Sequence, residues 1–218
     1  MGRGFVMIYR KELKEKTLSQ LKNNWGFAIL ICLIYTIISG LLDLNYTFEP
    51  NINWIDFNLR LDFILLIVLG PLQLGLSKFI LNFIEDRSKA NFKDLFYGFF
   101  SINLFIKSIL INLIIVGGIY IGGILFIIPG IIWALMFSQT YFILVENTEI
   151  GVIEALKRSY KLVDGFKSDL FLLELSFIGW LIVCIVTLGI GFLWYTPYYE
   201  ITLGNFYVKL KEIKSNVD

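Results

Sequence analysis

Glu200 is the residue of this sequence best placed to do chemistry. It follows Thr196-Pro197-Tyr198-Tyr199 in a stretch, 170–208, whose other charge is Glu174. A carboxylate in apolar surroundings must be compensated by water, a cation or a base, or stay protonated and hydrogen-bonded. A proline inside a helix frees backbone carbonyls, so an acid beside it could bind a cation or carry a proton. The alternative is a neutral Glu200 bonded to Gln139 or Gln73, an arrangement that needs no function. Both remain open at this stage.

Three shallower charges form a second candidate constellation. Lys78, Lys107 and Glu174 each fall five or six residues inside an apolar run, roughly 7–9 Å deep if helical. At that depth a lysine can snorkel to the nearer interface. A pair between Glu174 and Lys107 or Lys78, tying neighbouring hairpins together, is the other reading. Gly118-Ile119-Tyr120-Ile121-Gly122 is a small-residue step that lets a second backbone approach, either within the bundle or in a homodimer.

The sequence argues against an enzyme. It has no histidine, the commonest acid/base and metal ligand near neutral pH. It also lacks His-Glu-x-x-His, Gly-x-Ser-x-Gly, Gly-x-Gly-Asp and Gly-x-x-x-x-Gly-Lys-Ser/Thr. The two cysteines, Cys32 and Cys184, sit singly in apolar runs, without the spacing of a zinc site or disulfide framework. No cofactor is expected, and a net charge of +1 gives no field for nucleic acid.

These residues are held in an unusual composition, 57% apolar and 17% charged, against roughly 45–50% and 25% in a soluble domain. Lipid is the natural solvent. A span needs about 20 apolar residues. Trp25–Leu44 fits one, and Leu61–Ile84, interrupted by Gly70-Pro71, fits a second. Ser108–Val145 would extend about 57 Å as one helix, so it must turn back, and Pro129-Gly130 marks the turn. Leu170–Val208 divides likewise at Gly189-Ile190-Gly191. The expected fold is an all-α polytopic bundle of about six spans in three hairpins, with Pro71, Pro129 and Pro197 as helix breakers. One integral membrane domain would fill 1–218: a basic amphipathic segment (1–24), the bundle (25–208) and a cytoplasmic tail (209–218). Met1–Asn24 resembles the start of a secretory signal, but no small-x-small cleavage site follows, so the first helix is read as uncleaved.

Between spans lie three amphipathic segments. Leu13, Thr17, Leu18 and Leu21 form one stripe, Phe92, Leu95, Phe96 and Phe99 a second, and Ile153, Leu156, Tyr160 and Val163 a third, each among lysines or arginines. They suit helices at the headgroup boundary, where anionic lipid is a fitting partner, or solvated helices packed on the protein's own loops. Of the 19 Lys and Arg residues, sixteen fall on the predicted side of these segments and only Arg60 on the other. That asymmetry places both termini in the cytoplasm. The first outer loop, Asn45–Arg60, carries Glu49, Trp54 and Asp56. The chain thus reads as three units, each an amphipathic segment, an ascending span, a turn and a proline-bearing descending span.

Several blocks resemble a known family: Ile128-Pro129-Gly130-Ile131-Ile132, Glu154-Ala155-Leu156-Lys157 with Ser159, Leu175-Ser176-Phe177-Ile178-Gly179-Trp180, Leu188-Gly189-Ile190-Gly191-Phe192-Leu193-Trp194 and Pro197-Tyr198. Leu21-Lys22 with Asn24-Trp25, and Phe206-Tyr207, fit its two ends. The chain is similar over nearly its whole length to the domain of unknown function 975, an uncharacterised family of bacterial integral membrane proteins. The resemblance implies a membrane bundle in a bacterial plasma membrane and no particular reaction. It also implies that Gln is frequent at the positions of Glu174 and Glu200, which argues against an essential carboxylate there. Two functions fit: a non-enzymatic scaffold or lipid-organising protein, or a transporter component with a midplane polar site. No protein partner can be named.

Overall fold

A computed structural model describes the backbone of residues 8–43 and 54–215, and the side chains of 8–39 and 67–215. The described residues are helical throughout, with no strand. Helix α1 (Arg10–Leu21) meets α2 (Trp25–Asp43) at a bend of 103°. Asn23 turns the corner at φ 67°, a left-handed conformation that asparagine tolerates past a helix end. Next come α3 (Trp54–Glu85), a 3₁₀ turn (Arg87–Lys89) and a 3₁₀ segment (Phe92–Phe99). The chain continues through α4 (Ile102–Leu125), α5 (Ile127–Phe137), α6 (Thr140–Glu146), α7 (Val152–Val163), α8 (Lys167–Leu175), α9 (Ile178–Val186) and α10 (Phe192–Ser215).

Among the described residues, four stretches are long and apolar enough to cross a membrane: Ile67–Glu85, Ile102–Leu125, Ile127–Glu146 and Lys167–Val186. Counting the bent pair α1–α2 as one span makes five. Helix α10 is long enough but too polar, because Tyr198, Tyr199, Glu200, Thr202, Asn205 and Tyr207 dilute its apolar residues. Its central part is instead wrapped by other helices, with Tyr198, Ile201, Thr202, Asn205, Phe206 and Tyr207 all buried.

The prolines also differ from expectation. Pro71 and Pro197 lie inside α3 and α10, which continue past them. Pro129 occupies the first turn of α5, where its missing N–H costs little, and the chain turns at Phe126, between α4 and α5. Around Pro71 the neighbouring backbone is in close contact: a Cβ on Gly98 would lie 2.4 Å from the Pro71 carbonyl oxygen. Helix α3 is therefore clamped on both sides of its proline rather than released there.

The helices sort into two rings. The windows Ile67–Glu85 (α3) and Ile127–Glu146 (α5–α6) are 56% and 44% buried, whereas Ile102–Leu125 (α4) and Lys167–Val186 (α8–α9) are 17% and 22% buried. Helix α10 joins the inner set. It packs on α3, where Gly204 faces Ile80 and Ile84, and on α6, where Tyr207 stacks on Phe142 at 5.3 Å. The outer set is α2, α4 and α8–α9.

Each amphipathic segment docks on the inner helix of the preceding unit. The 3₁₀ segment lies on α3, α7 on α5 and α6, and α1 on α10, which closes the ring. The outer helices follow the same rule: α4 touches α3, α8 touches α5, and α2 touches α10. Through these contacts each amphipathic segment and outer helix leans on an inner helix from another part of the chain.

Local chemistry fixes these joints. Asp94 caps the 3₁₀ segment by accepting from the Asn91 backbone N–H at 2.8 Å, and accepts from Asn82 Nδ2 of α3 at 2.9 Å. Ser159 of α7 donates to the Met136 carbonyl at 2.9 Å. Thr202 of α10 and Thr17 of α1 lie in hydroxyl contact at 3.2 Å, and Asn205 Nδ2 donates to Thr17 Oγ1 at 3.0 Å and to Gln20 Oε1 at 2.7 Å.

At the opposite end of the bundle the hairpin tips are apolar. Ile124, Leu125, Phe126, Ile127 and Ile128 are exposed at one tip, and Val186, Leu188 and Ile190 at another. Leu188 and Gly189 take φ of 51° and 93° to turn the second tip. Such surfaces suit lipid far better than water.

Candidate functional site

Gln73 lies on α3, Gln139 just before α6 and Glu200 on α10. Tyr35 of α2 donates to Gln73 Oε1 of α3 at 2.5 Å. Glu200 of α10 lies within electrostatic reach of Tyr35 and Cys32 on one side and of Tyr195 and Tyr199 on the other. Gln73 and Glu200 are therefore neighbours through Tyr35 rather than bonded partners. Among the described residues the Glu200 carboxylate accepts no hydrogen bond. Gln139 stands apart: it is fully buried at the start of α6, and its Nε2 donates to Ser138 Oγ at 2.8 Å. Among the described residues its Oε1 and the hydroxyl of the buried Tyr141 have no partner.

The sequence reading missed Tyr35, Tyr141, Thr17 and Asn205. Tyr35 and Tyr141 sit within apolar runs, where a phenol carries a polar tip on an apolar body and can be counted either way. Thr17 had been placed in an apolar stripe, which its burial fits, but its hydroxyl serves α10.

The three shallow charges are not brought together, which corrects the expected pair. Lys107 Nζ donates to the Thr148 carbonyl at 2.8 Å, and Lys78 lies over the Tyr97 ring, 5.6 Å from its centroid. None of the ion pairs among the described residues joins either lysine to Glu174. Matching depth gave the expectation, but depth says nothing about position around the bundle: Lys78 and Lys107 lie on α3 and α4, Glu174 on α8. The small-residue step serves the α4–α5 hairpin. A Cβ on Gly118 would meet the Trp133 indole at 2.1 Å, and one on Gly122 the Gly130 backbone nitrogen at 2.7 Å.

A second group of residues lies on the side where the charges collect. Tyr207 donates to Glu146 Oε2 at 2.7 Å, and Lys211 pairs with the same oxygen at 2.5 Å, fastening α10 to α6. Around that core the amphipathic segments form a collar. Each buries a narrow stripe against the bundle: Leu13, Thr17 and Leu21 of α1, Leu95 and Gly98 of the 3₁₀ segment, and Ala155, Leu156, Ser159 and Val163 of α7. Each also leaves a second apolar set exposed, namely Leu18, then Phe92 and Phe99, then Ile153 and Tyr160. The third stripe is thus rotated from its sequence-based position. Beside the exposed sets stand the exposed cations Lys11, Lys93, Lys157, Arg158 and Lys161. On α7 the Arg158 guanidinium, donating to Glu154 Oε1 at 2.8 Å, holds that carboxyl below its ordinary range.

Residues 115–214 match the family model described as Protein of unknown function (DUF975). Over that segment, a little under half of the chain, the sequence is similar to the DUF975 family. No curated protein and no solved structure matches the chain. The DUF975 segment runs from within α4 to the last turn of α10, and so includes Gly118, Gly122, Pro129, Gln139, Glu174, Pro197 and Glu200. Gln73, Lys78, Lys107 and the Leu21-Lys22 block lie before it. Polar belt and collar alike are therefore completed by residues outside the DUF975 match, Tyr35, Gln73 and all of α1 among them.

Proposed function

We propose that this protein is a non-enzymatic membrane scaffold whose basic collar lies on the cytoplasmic face of a bacterial plasma membrane and gathers anionic lipid. The doubly apolar character of the collar carries the reading. A segment serving only as a loop cover needs one apolar face. The 3₁₀ segment and α7 keep a second apolar set exposed among lysines and arginines, and α1 keeps Leu18, the pattern of in-plane segments with apolar side chains at the acyl boundary and cations at the headgroups. The Lys and Arg asymmetry puts both termini on the same cytoplasmic side. Catalysis is not part of this reading.

The test is the lipid extracted with the protein. A detergent-free preparation should be enriched in anionic phospholipid over the bulk membrane, and Lys157→Gln, Arg158→Gln and Lys161→Gln together should reduce that enrichment. A shell of bulk composition would overturn the proposal.

A transporter component remains the second reading, favoured by the unpartnered Gln139 Oε1 and Tyr141 hydroxyl and by the bare Glu200 carboxylate. Buried polar atoms without partners are uncommon in a purely structural core. A solute flux in vesicles that Glu200→Gln abolishes would establish it. Absence of any flux dependence on Glu200 leaves the scaffold.

A further inference from the structure

The collar is uneven. At one point α1 does not simply lie on the bundle but reaches cations into a break between two helices. Arg10 Nη1 donates to the Leu172 carbonyl at 3.2 Å, and Lys14 Nζ to the Ser176 carbonyl at 2.9 Å. These are carbonyls at the end of α8, where the chain breaks before α9: Leu172 O also accepts from the Ser176 N–H at 3.2 Å, and Ser176 O lies just past the helix end. Lys14 also stands 4.0 Å above the Phe177 ring. Beside these groups opens a cavity of about 530 Å³ lined by Tyr9, Arg10, Lys11, Lys14, Ser176 and Tyr198, among others.

We propose that this cleft, between α1, the α8–α9 break and α10, is a specific site for the phosphate of one anionic phospholipid. The inference rests on the collar reading and names one site within it.

Donor capacity is the first argument. Lys14 uses one of its three N–H donors on Ser176 and Arg10 one of its five on Leu172, so both can hold an anion without releasing the helix end. Charge balance is the second. Glu15, the carboxylate lining the cleft, lies 3.8 Å from Lys11, and Asp169 feels the Arg10 charge from nearby, but among the described residues neither Arg10 nor Lys14 forms an ion pair. Partial burial, and then the adjacent Arg10, lower the Lys14 pKa, a cost that a bound phosphate would offset. The third argument is the surround. Leu172, Leu175, Ile178 and Trp180 are exposed on the same break, so an anion bearing acyl chains has an apolar wall to lie along. A free phosphate or an acidic peptide would leave that wall bare.

Native mass spectrometry of protein from nanodiscs of mixed phosphatidylglycerol and phosphatidylcholine tests the site. The wild type should hold one phosphatidylglycerol more tightly than the rest. Arg10→Gln with Lys14→Gln should weaken that lipid by about tenfold or more, the loss of two charge-assisted bonds. Lys14→Arg should retain it, and Lys157→Gln with Arg158→Gln should not affect it. Because the glutamine pair also weakens the cap on α8, the decisive quantity is the difference in melting temperature between phosphatidylglycerol and phosphatidylcholine discs, which a merely structural loss leaves unchanged. Unaltered retention in the glutamine pair overturns the site while general anionic enrichment keeps the collar. Displacement of the lipid by inorganic phosphate would overturn the lipid assignment. No preference for phosphatidylglycerol in the wild type overturns both.

Discussion

The inner helices α3, α5–α6 and α10 and the outer helices α2, α4 and α8–α9 solve opposite problems with the same residue types. The outer helices are the more uniformly apolar and the less buried; α10, the inner helix richest in Tyr, Thr and Asn, is too polar to count as a span by composition yet is largely enclosed. Hydrophobicity here reports which surface meets lipid, while polarity reports which helix is sheltered by others. In lipid the apolar face gains nothing by being hidden, so helix association depends on close packing and hydrogen bonds. The glycines and polar pairs at the joints are therefore the expected source of cohesion.

Glycine substitutions should break this comparison most sharply. A Cβ on Gly75 would lie 1.9 Å from the Leu95 carbonyl oxygen, whereas one on Gly123 meets nothing within 4 Å. Gly75→Ala should abolish folded, monodisperse protein or cost about 3 kcal/mol or more, and Gly123→Ala should leave the melting temperature unchanged. Equal behaviour of the two would refute the inner and outer assignment at α3 and α4.

Smaller losses are expected where α1 is bonded to the inner ring. Asn205→Leu and Thr17→Val should each cost about 1–3 kcal/mol and be clearly non-additive together, since they share one hydrogen bond. Additive losses would mean that the α1–α10 joint is held by apolar packing alone.

The smallest effect concerns the shallow charges. With Lys107 on the Thr148 carbonyl, the losses from Glu174→Gln and Lys107→Gln should add to within about 0.5 kcal/mol. A larger coupling would restore the pair that the sequence suggested. Sidedness can be checked separately. In a background lacking Cys32 and Cys184, Asn51→Cys should react with an impermeant thiol reagent in intact cells and Ser168→Cys should not. Asn51 and the rest of 44–53 lie outside the described residues, so this expectation rests on the charge distribution.

Much of the fold was legible because hydropathy marks lipid-facing helices strongly: α2, α4 and the turn at Gly189 are visible in the pattern, while the turn between α4 and α5 falls at Phe126, three residues before the expected Pro129. The amphipathic segments were visible too, though their dual faces were not, since periodicity yields one stripe and cannot say which half of it docks. Helix α10 reads as apolar when only its charges are counted, and its tyrosines, threonines and asparagine lower its hydropathy below that of the other long helices. Pro71 passed for a break because the clamp that keeps α3 continuous comes from residues 95–98, distant in sequence. The candidate site was legible one residue at a time, in Gln73, Gln139 and Glu200. What joins or separates them depends on position around the ring, which depends in turn on how each unit leans on its neighbour.

The scaffold claim is tested most directly by melting the protein in vesicles of rising phosphatidylglycerol content at low and high salt. The account predicts a melting temperature that climbs with the anionic fraction at low ionic strength. The gain should shrink as the Debye length falls from about 10 Å at 0.1 M to about 3 Å at 1 M. A melting temperature indifferent to phosphatidylglycerol at low salt would contradict it.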